Sequence, residues 1–325
     1  MLGIKDKKIL YELDQNSRQS LSQIAKKTKL SQQVISYRLN LLQKKMIITN
    51  FFTVINFTNL GYTSYRIMPR LSNTTKERYN EIIEFFMNHP NVLWLNSCGG
   101  KYDFIINIMA KNIIHFNDIF KKIKEKFPEQ IQNYDILTHL EMSYFGRDYL
   151  SKKTREIKSV PYFGREFKLI KLDEIDLKIL NILSENARIN AIEISSKLKI
   201  TPNTIINRIK NLKKIGIIQA YEPLLHVEKI GYQAYKLLIK FQNITEEKER
   251  QLIAFSQRNT NVIGIIKLIG LWDFEIEIEI DNREQLHQFI MEIRDKFKDI
   301  IKEFETLPLY HDYRYNFLPK DLVSE

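Results

Sequence analysis

Ile205, Ile209 and Leu212 stand at i, i+4 and i+7 in TPNTIINRIKNLKKIGII, residues 201–218. That spacing is one apolar stripe on a helix. Thr201 can cap its first amides, Pro202 suits the first helical position, and Gly216 can end it in a left-handed conformation. Asn203, Thr204, Asn207, Arg208 and Lys210 fall off the stripe, and so does Ile206. Upstream, Ile175, Ile179, Leu180 and Leu183 predict a helix of about three turns. ENAR breaks it, and Ile192, Ile194 and Leu198 predict a second, shorter helix. Three helices with a brief turn before the third match the helix-turn-helix arrangement.

The period then changes from helical to alternating. GYQAYKLLIKFQ reads as a strand, TEEKERQLIAFSQR as a helix capped by Thr245, and NVIGIIKLIG with LWDFEIEIEID as a hairpin. In the last of these, Phe274, Ile276, Ile278 and Ile280 alternate with Glu275, Glu277 and Glu279. REQLHQFIMEIRDKF predicts a helix with Leu286, Phe289, Ile290 and Ile293 inward, and IKEFETLPLY closes with a strand. The order is βαββαβ, the ferredoxin-like split unit.

A shift of 170 residues lays the second half on the first. Asp176, Leu183, Asn186, Arg188, Ile205, Arg208 and Leu212 fall on Asp6, Leu13, Asn16, Arg18, Ile35, Arg38 and Leu42. Gly231-Tyr232, Asn261-Val262, Gly270 and Asp273-Phe274 fall on Gly61-Tyr62, Asn91-Val92, Gly100 and Asp103-Phe104. One register held over that distance makes the chain two copies of one two-domain unit. The predicted fold is α+β: helix-turn-helix units at 1–50 and 172–220, ferredoxin-like domains at 51–142 and 221–318, a linker at 143–171 and a tail at 319–325. The linker carries YFGR twice, at Tyr144–Arg147 and Tyr162–Arg165. It reads either as a short strand docking on a sheet or as a basic segment brushing DNA.

Charge sharpens the picture. The chain of 325 residues has net charge +11, with +7 in residues 1–50, +4 in 171–220 and −5 in 221–325. Cations gathered on the helical units are the footprint expected for phosphate contact. No apolar run approaches the roughly 18 residues that span a bilayer. The charged N-terminus is no signal peptide. With Cys98 as the one cysteine, a reducing cytoplasm is the expectation.

LDEIDLKIL, TPNTIINRIKNLKKIGII and GLWDF in the second copy, with DKKIL, LSQQVISYRLNLLQKKMII and GKYDF in the first, resemble the Lrp/AsnC family of transcriptional regulators. The first copy departs from the pattern by placing Gln32 and Met46 where the second has Pro202 and Gly216. The resemblance implies winged helix-turn-helix units followed by RAM-type ferredoxin-like domains, pairing through those domains, and an amino acid or other small metabolite sensed near the hairpin turns. Two copies in one chain imply an intrachain pseudo-dimer, with further homo-oligomers open. The turn residues Gly99, Gly100, Asp103, Gly270 and Asp273 mark the expected effector sites; their alternative role is to build the turn.

Helix geometry puts Gln32, Gln33, Ser36 and Tyr37 of the first copy, and Asn203, Thr204, Ile206 and Asn207 of the second, toward base edges of double-stranded DNA. Gln and Asn suit adenine, and Ile206 a thymine methyl. Arg38 and Arg208 bind either phosphate or a neighbour in their own unit. Lys26, Lys27, Lys29, Lys44, Lys45, Lys197, Lys199, Lys213 and Lys214 are expected on phosphates. No catalytic residue, cofactor, metal or membrane partner is expected. None of the six histidines sits at a zinc-like spacing, and phosphate-loop, nucleophile-elbow and dinucleotide motifs are missing. Two other readings stay open: an enzyme similar to the siroheme decarboxylases, built on the same pair of domains, and an interaction protein that does not bind DNA.

Overall fold

The computed structural model describes residues 2–151, 155, 160–164 and 168–323. The first half runs α1 (Ile4–Gln15), α2 (Leu21–Thr28), α3 (Gln32–Lys44), β1 (Ile48–Ile55), β2 (Thr63–Arg70), α4 (Lys76–Asn88), β3 (Val92–Cys98), β4 (Phe104–Ala110), α5 (Ile113–Lys126) and β5 (Asn133–Tyr144). A two-residue strand, β6 (Tyr162–Phe163), follows. The second half repeats the order: α6 (Glu174–Glu185), α7 (Ala191–Leu198), α8 (Pro202–Lys214), β7 (Ile218–Leu225), β8 (Gln233–Phe241), α9 (Glu246–Arg258), β9 (Val262–Ile269), β10 (Phe274–Ile280), α10 (Arg283–Phe297) and β11 (Ile301–Tyr315).

The local signals act as their chemistry requires. The Thr201 hydroxyl accepts from the Thr204 amide with Pro202 beside it, and Thr245 caps α9 in the same way. Ile205, Ile209 and Leu212 are buried. Gly216 is left-handed at φ 77°, and Met46 adopts the same conformation at φ 55° without a glycine's freedom. Ile192 departs from expectation and is 72% exposed. It lies two residues from Ile194, about 200° around the helix, so it cannot share that buried stripe.

Strands β1 and β7, whose residues the sequence divides between the helical and ferredoxin-like segments, stand apart from the larger sheet. They pair antiparallel with each other as a two-stranded sheet, Phe52 opposite Glu222. Helix α6 packs on β1 and α1 on β7, so the first helix of each unit rests on the other copy's strand. Within each βαββαβ domain the strand order is β5-β2-β4-β3 and β11-β8-β10-β9. The last strand of each domain then crosses to the other: β5 pairs with β9, and β11 pairs with β3. Since β5 also pairs with β2, the sheet closes on itself. Strand β11 runs five residues past its expected end, and Asp312, Arg314 and Tyr315 on that extension pair with Asn96, Leu95 and Trp94.

The helices cover the outside of this barrel. Tyr65, Ile67, Phe104 and Ile106 pack with residues of α4 and α5, and Phe274, Ile276, Ile278 and Ile280 with residues of α9 and α10. The opposite face of β10 points into the barrel, leaving Glu275, Glu277 and Glu279 buried. Arg66 from the first domain and Lys236 from the second occupy corresponding positions, 170 residues apart. Both bind Glu275; Lys236 Nζ lies 2.6 Å from it and 2.9 Å from Glu277, with Nζ 4.5 Å from the Trp94 ring centroid. Arg66 Nε also donates to Asn107 at 2.9 Å. Burial opposes ionisation of Glu275, but Arg66 and Lys236 outweigh it and hold its carboxyl below the ordinary value.

The repeated YFGR serves two different ends. Arg147 of the first copy is gripped by Asp14 of α1 at 3.0 Å and Glu279 of β10 at 2.9 Å. Tyr162 and Phe163 of the second copy pair with Ser143 and Met142 of β5, and Phe163 stacks on Phe57. This is the docked-strand alternative. Arg165 lies outside the described residues.

Candidate nucleic-acid interface

Burying the apolar stripes of α3 and α8 leaves their polar faces outward. On α3, Gln32, Gln33 and Tyr37 are exposed and Ser36 is half-buried; on α8, Asn203, Ile206 and Asn207 are exposed and Thr204 is half-buried. Ile206, 39% exposed, is not held outward by lack of a core, since its neighbour Ile205 is fully buried. The Thr204 hydroxyl lies 2.9 Å from that of Thr201, inside the cap.

Arg38 and Arg208 make the ion pairs within their own units that stood as the alternative to phosphate contact. Arg38 Nη1 lies 2.8 Å from Asp6, and Arg208 Nη1 lies 2.7 Å from Asp173 and 2.9 Å from Asp176. Both guanidinium groups fasten the third helix of a unit to its first, so their charge is met internally. The nine lysines remain exposed. Lys27 also pairs with Glu12 at 3.0 Å, and Lys213 lies over the Tyr221 ring.

The sequence marks Arg18 and Arg188 only as matching positions. In the fold, Arg18 Nη1 donates to the carbonyls of Ala187 and, at 2.9 Å, Ile189. Arg188 Nη1 donates reciprocally to Ser17 and, at 3.3 Å, Gln19. The two helical units are therefore locked to each other.

The turn residues assigned to an effector have structural work. Asp103 accepts from the Leu71 amide at 2.7 Å, and Asp273 from the Phe241 amide at 2.8 Å while pairing with Lys240. Gly270 has φ 141°, and a Cβ there would lie 2.8 Å from the Ile136 carbonyl of β5. Gly99 lies against Tyr310 of β11, and Gly100 has φ 87°. These contacts account for the turns as the place where each domain's hairpin meets the other's last strand. A cavity of about 610 Å³ opens elsewhere, lined by Thr58, Ser64, Lys111, His139, Glu141 and Lys267 among others. His139 is buried with both ring nitrogens unpartnered. Burial, then Arg66 and Lys236, push its pKa well down, so it stays neutral. A second cavity of about 420 Å³ holds the corresponding positions 170 residues on, including Glu228, Ala234, Leu309 and His311.

Among the described residues no helix is long and apolar enough to cross a membrane. Two winged-helix units presenting outward recognition helices, joined through a closed sheet, define a tandem DNA-binding protein. The family described as winged helix-turn-helix DNA-binding matches residues 2–49 and 172–219. An uncharacterized HTH-type transcriptional regulator of Pyrococcus furiosus is 31% identical over 125 residues, covering 82% of that protein and 38% of this chain. One from Pyrococcus abyssi is 33% identical over 120 residues, covering 80% of it and 37% of this chain. The chain belongs to the HTH-type transcriptional regulators, with the winged helix-turn-helix unit present twice. Across almost its whole length it also shares the fold of the siroheme decarboxylase NirDL. The TM-score is 0.61 at 11% identity, covering 97% of this chain and 95% of that one.

Proposed function

We propose that α3 and α8 read two half-sites of one DNA duplex from a single chain. In this reading Gln32, Gln33, Ser36 and Tyr37 meet one half-site and Asn203, Thr204, Ile206 and Asn207 the other. Their different side chains call for an imperfect palindrome, with centres roughly one helical turn apart. The exposed lysines meet phosphates, and Arg38 and Arg208 position the helices. The observation carrying this is the reciprocal Arg18 and Arg188 lock, which holds the two outward faces in one fixed relation. An amino acid or similar metabolite modulates binding from the His139 cavity, where Lys111 supplies a cation for a carboxylate and His139 has free hydrogen-bonding capacity. The chain pairs within itself and needs no second copy to present both helices.

The fold shared with NirDL favours a second reading, a porphyrin-modifying enzyme; NirDL has been seen with an iron-uroporphyrin III analogue. The barrel interior argues against it. Arg66 and Lys236 are matched by Glu275 and Glu277, leaving little positive charge to welcome a polycarboxylate.

Fluorescence anisotropy on selected and randomised duplexes across a salt series tests the proposal. Wild type should lose affinity steeply with salt, and Asn203→Ala/Asn207→Ala should lose preference for the selected site while keeping non-specific binding. Absence of binding by wild type at low salt, with visible-range absorbance changes on adding an iron porphyrin, would reverse the choice.

A further inference from the structure

His226 directly follows β7 where the second winged unit enters its ferredoxin-like domain, and His311 lies far along β11. The fold brings them together: their rings lie 4.7 Å apart between centroids. His226 Nδ1 is 3.0 Å from Glu228 Oε1. One ligand atom from each of the three residues lies within 4.8 Å of the other two. We propose that His226, Glu228 and His311 bind a divalent transition-metal ion of the zinc class, and that its occupancy alters DNA affinity. The second part rests on the DNA-binding reading above.

Two imidazoles and a carboxylate are the donor set that zinc, nickel and cobalt accept. Metal–ligand bonds of about 2.0–2.2 Å need donors little more than about 3.5 Å apart. Side-chain rotation within a residue's ordinary range covers the difference. Cavities of about 420 and 720 Å³ both border His226 and His311, so an ion has access and open positions for water. His226 is buried and Glu228 is 47% exposed at its side chain, giving one anchored and one approachable ligand. Arg283 and Lys229 border these cavities and oppose a cation, so a three-ligand site here binds less tightly than a closed four-ligand one.

The site's place gives it leverage. The His226 amide donates to the Ile47 carbonyl at 2.9 Å, just before β1 of the first winged unit. His311 sits on the strand that crosses to β3. An ion here would tie both DNA-reading units to the barrel. At the corresponding positions of the first copy stand Asn56, Thr58 and Glu141, which do not offer this donor set. The two related cavities have thus diverged, one toward an organic ligand and one toward a metal.

The test uses the full chain stripped with EDTA. Titration with Co²⁺ should produce visible d–d absorbance saturating near one equivalent, displaced by Zn²⁺. His311→Asn and the exposed Glu228→Gln should each weaken binding at least about tenfold. Circular dichroism of Glu228→Gln, whose side chain reaches solvent, guards against a folding artefact. Anisotropy with metal-loaded and stripped protein should differ by several-fold in DNA affinity for wild type and not for the variants. No saturable binding, or equal binding by correctly folded variants, overturns the site. Site binding without a change in DNA affinity overturns its regulatory role. Metal binding by a chain that binds no DNA under any condition upholds the site and rejects the regulator reading instead.

Discussion

Arg18 and Arg188 hold each other's loops across the molecule, each guanidinium donating to two carbonyls of the opposite unit. Burial lowers the pKa of both, yet arginine remains charged, and charged hydrogen bonds of this kind are worth about 1.5–3 kcal/mol. Arg18→Ala/Arg188→Ala should lower thermal stability and relax the spacing rule between half-sites. Anisotropy on operators with inserted base pairs checks this. Unchanged spacing discrimination would show that β1 and β7 alone fix the units.

Lys44 and Lys45 close the first recognition helix with exposed side chains. Their removal as Lys44→Ala/Lys45→Ala should weaken binding equally on all sequences. The slope of log affinity against log salt should become shallower by about 0.9 for each phosphate that is no longer neutralised. An effect confined to selected sites would instead place these lysines on bases.

Met46 holds φ 55° where the second copy has Gly216, and it is 53% exposed. A left-handed methionine carries strain of about 1 kcal/mol that glycine avoids. Met46→Gly should therefore stabilise the first unit, read as a raised midpoint in urea. Gly216→Met should do the reverse.

Glu222 faces Phe52 across the strand pair and borders a small cavity with Pro223 and Phe317. Burial, then the charge of Asp14, raises its pKa from 4.5 to about 8. The folded protein holds this proton more tightly than the unfolded chain. Stability present below pH 4.5 is therefore lost as pH rises to about 8. Glu222→Gln should remove that component. Its advantage over wild type should grow between pH 5 and 8, by at most about 1.4 kcal/mol per unit. Parallel denaturation curves for the two proteins at every pH would refute the assignment.

Arg66 lies wholly inside the barrel against Glu275. Arg66→Met should cost about 3–5 kcal/mol by leaving buried acid undercompensated. Adding Glu275→Gln should recover part of the loss, measured by chemical denaturation. Full additivity of the two changes would mean they do not interact.

The repeat, the helical stripes, the caps at Thr201 and Thr245 and the βαββαβ order were legible from sequence because each rests on neighbours a few residues apart. The outward faces of α3 and α8 were legible for the same reason. Other features depended on which distant segments meet. Alternation along β10 defines two faces, but only the closing of both domains' strands into one sheet makes the glutamate face an interior one, where Arg66 and Lys236 meet it. Likewise the ion pairs of Arg38 with Asp6 and of Arg208 with Asp173 and Asp176 arise from contacts between helices. The hairpin glycines answer to the crossing strands β5 and β11. His226, Glu228 and His311 have no revealing spacing in the chain. Their meeting follows from β11 returning beside β8, a long-range pairing that neither residue period nor local capping encodes.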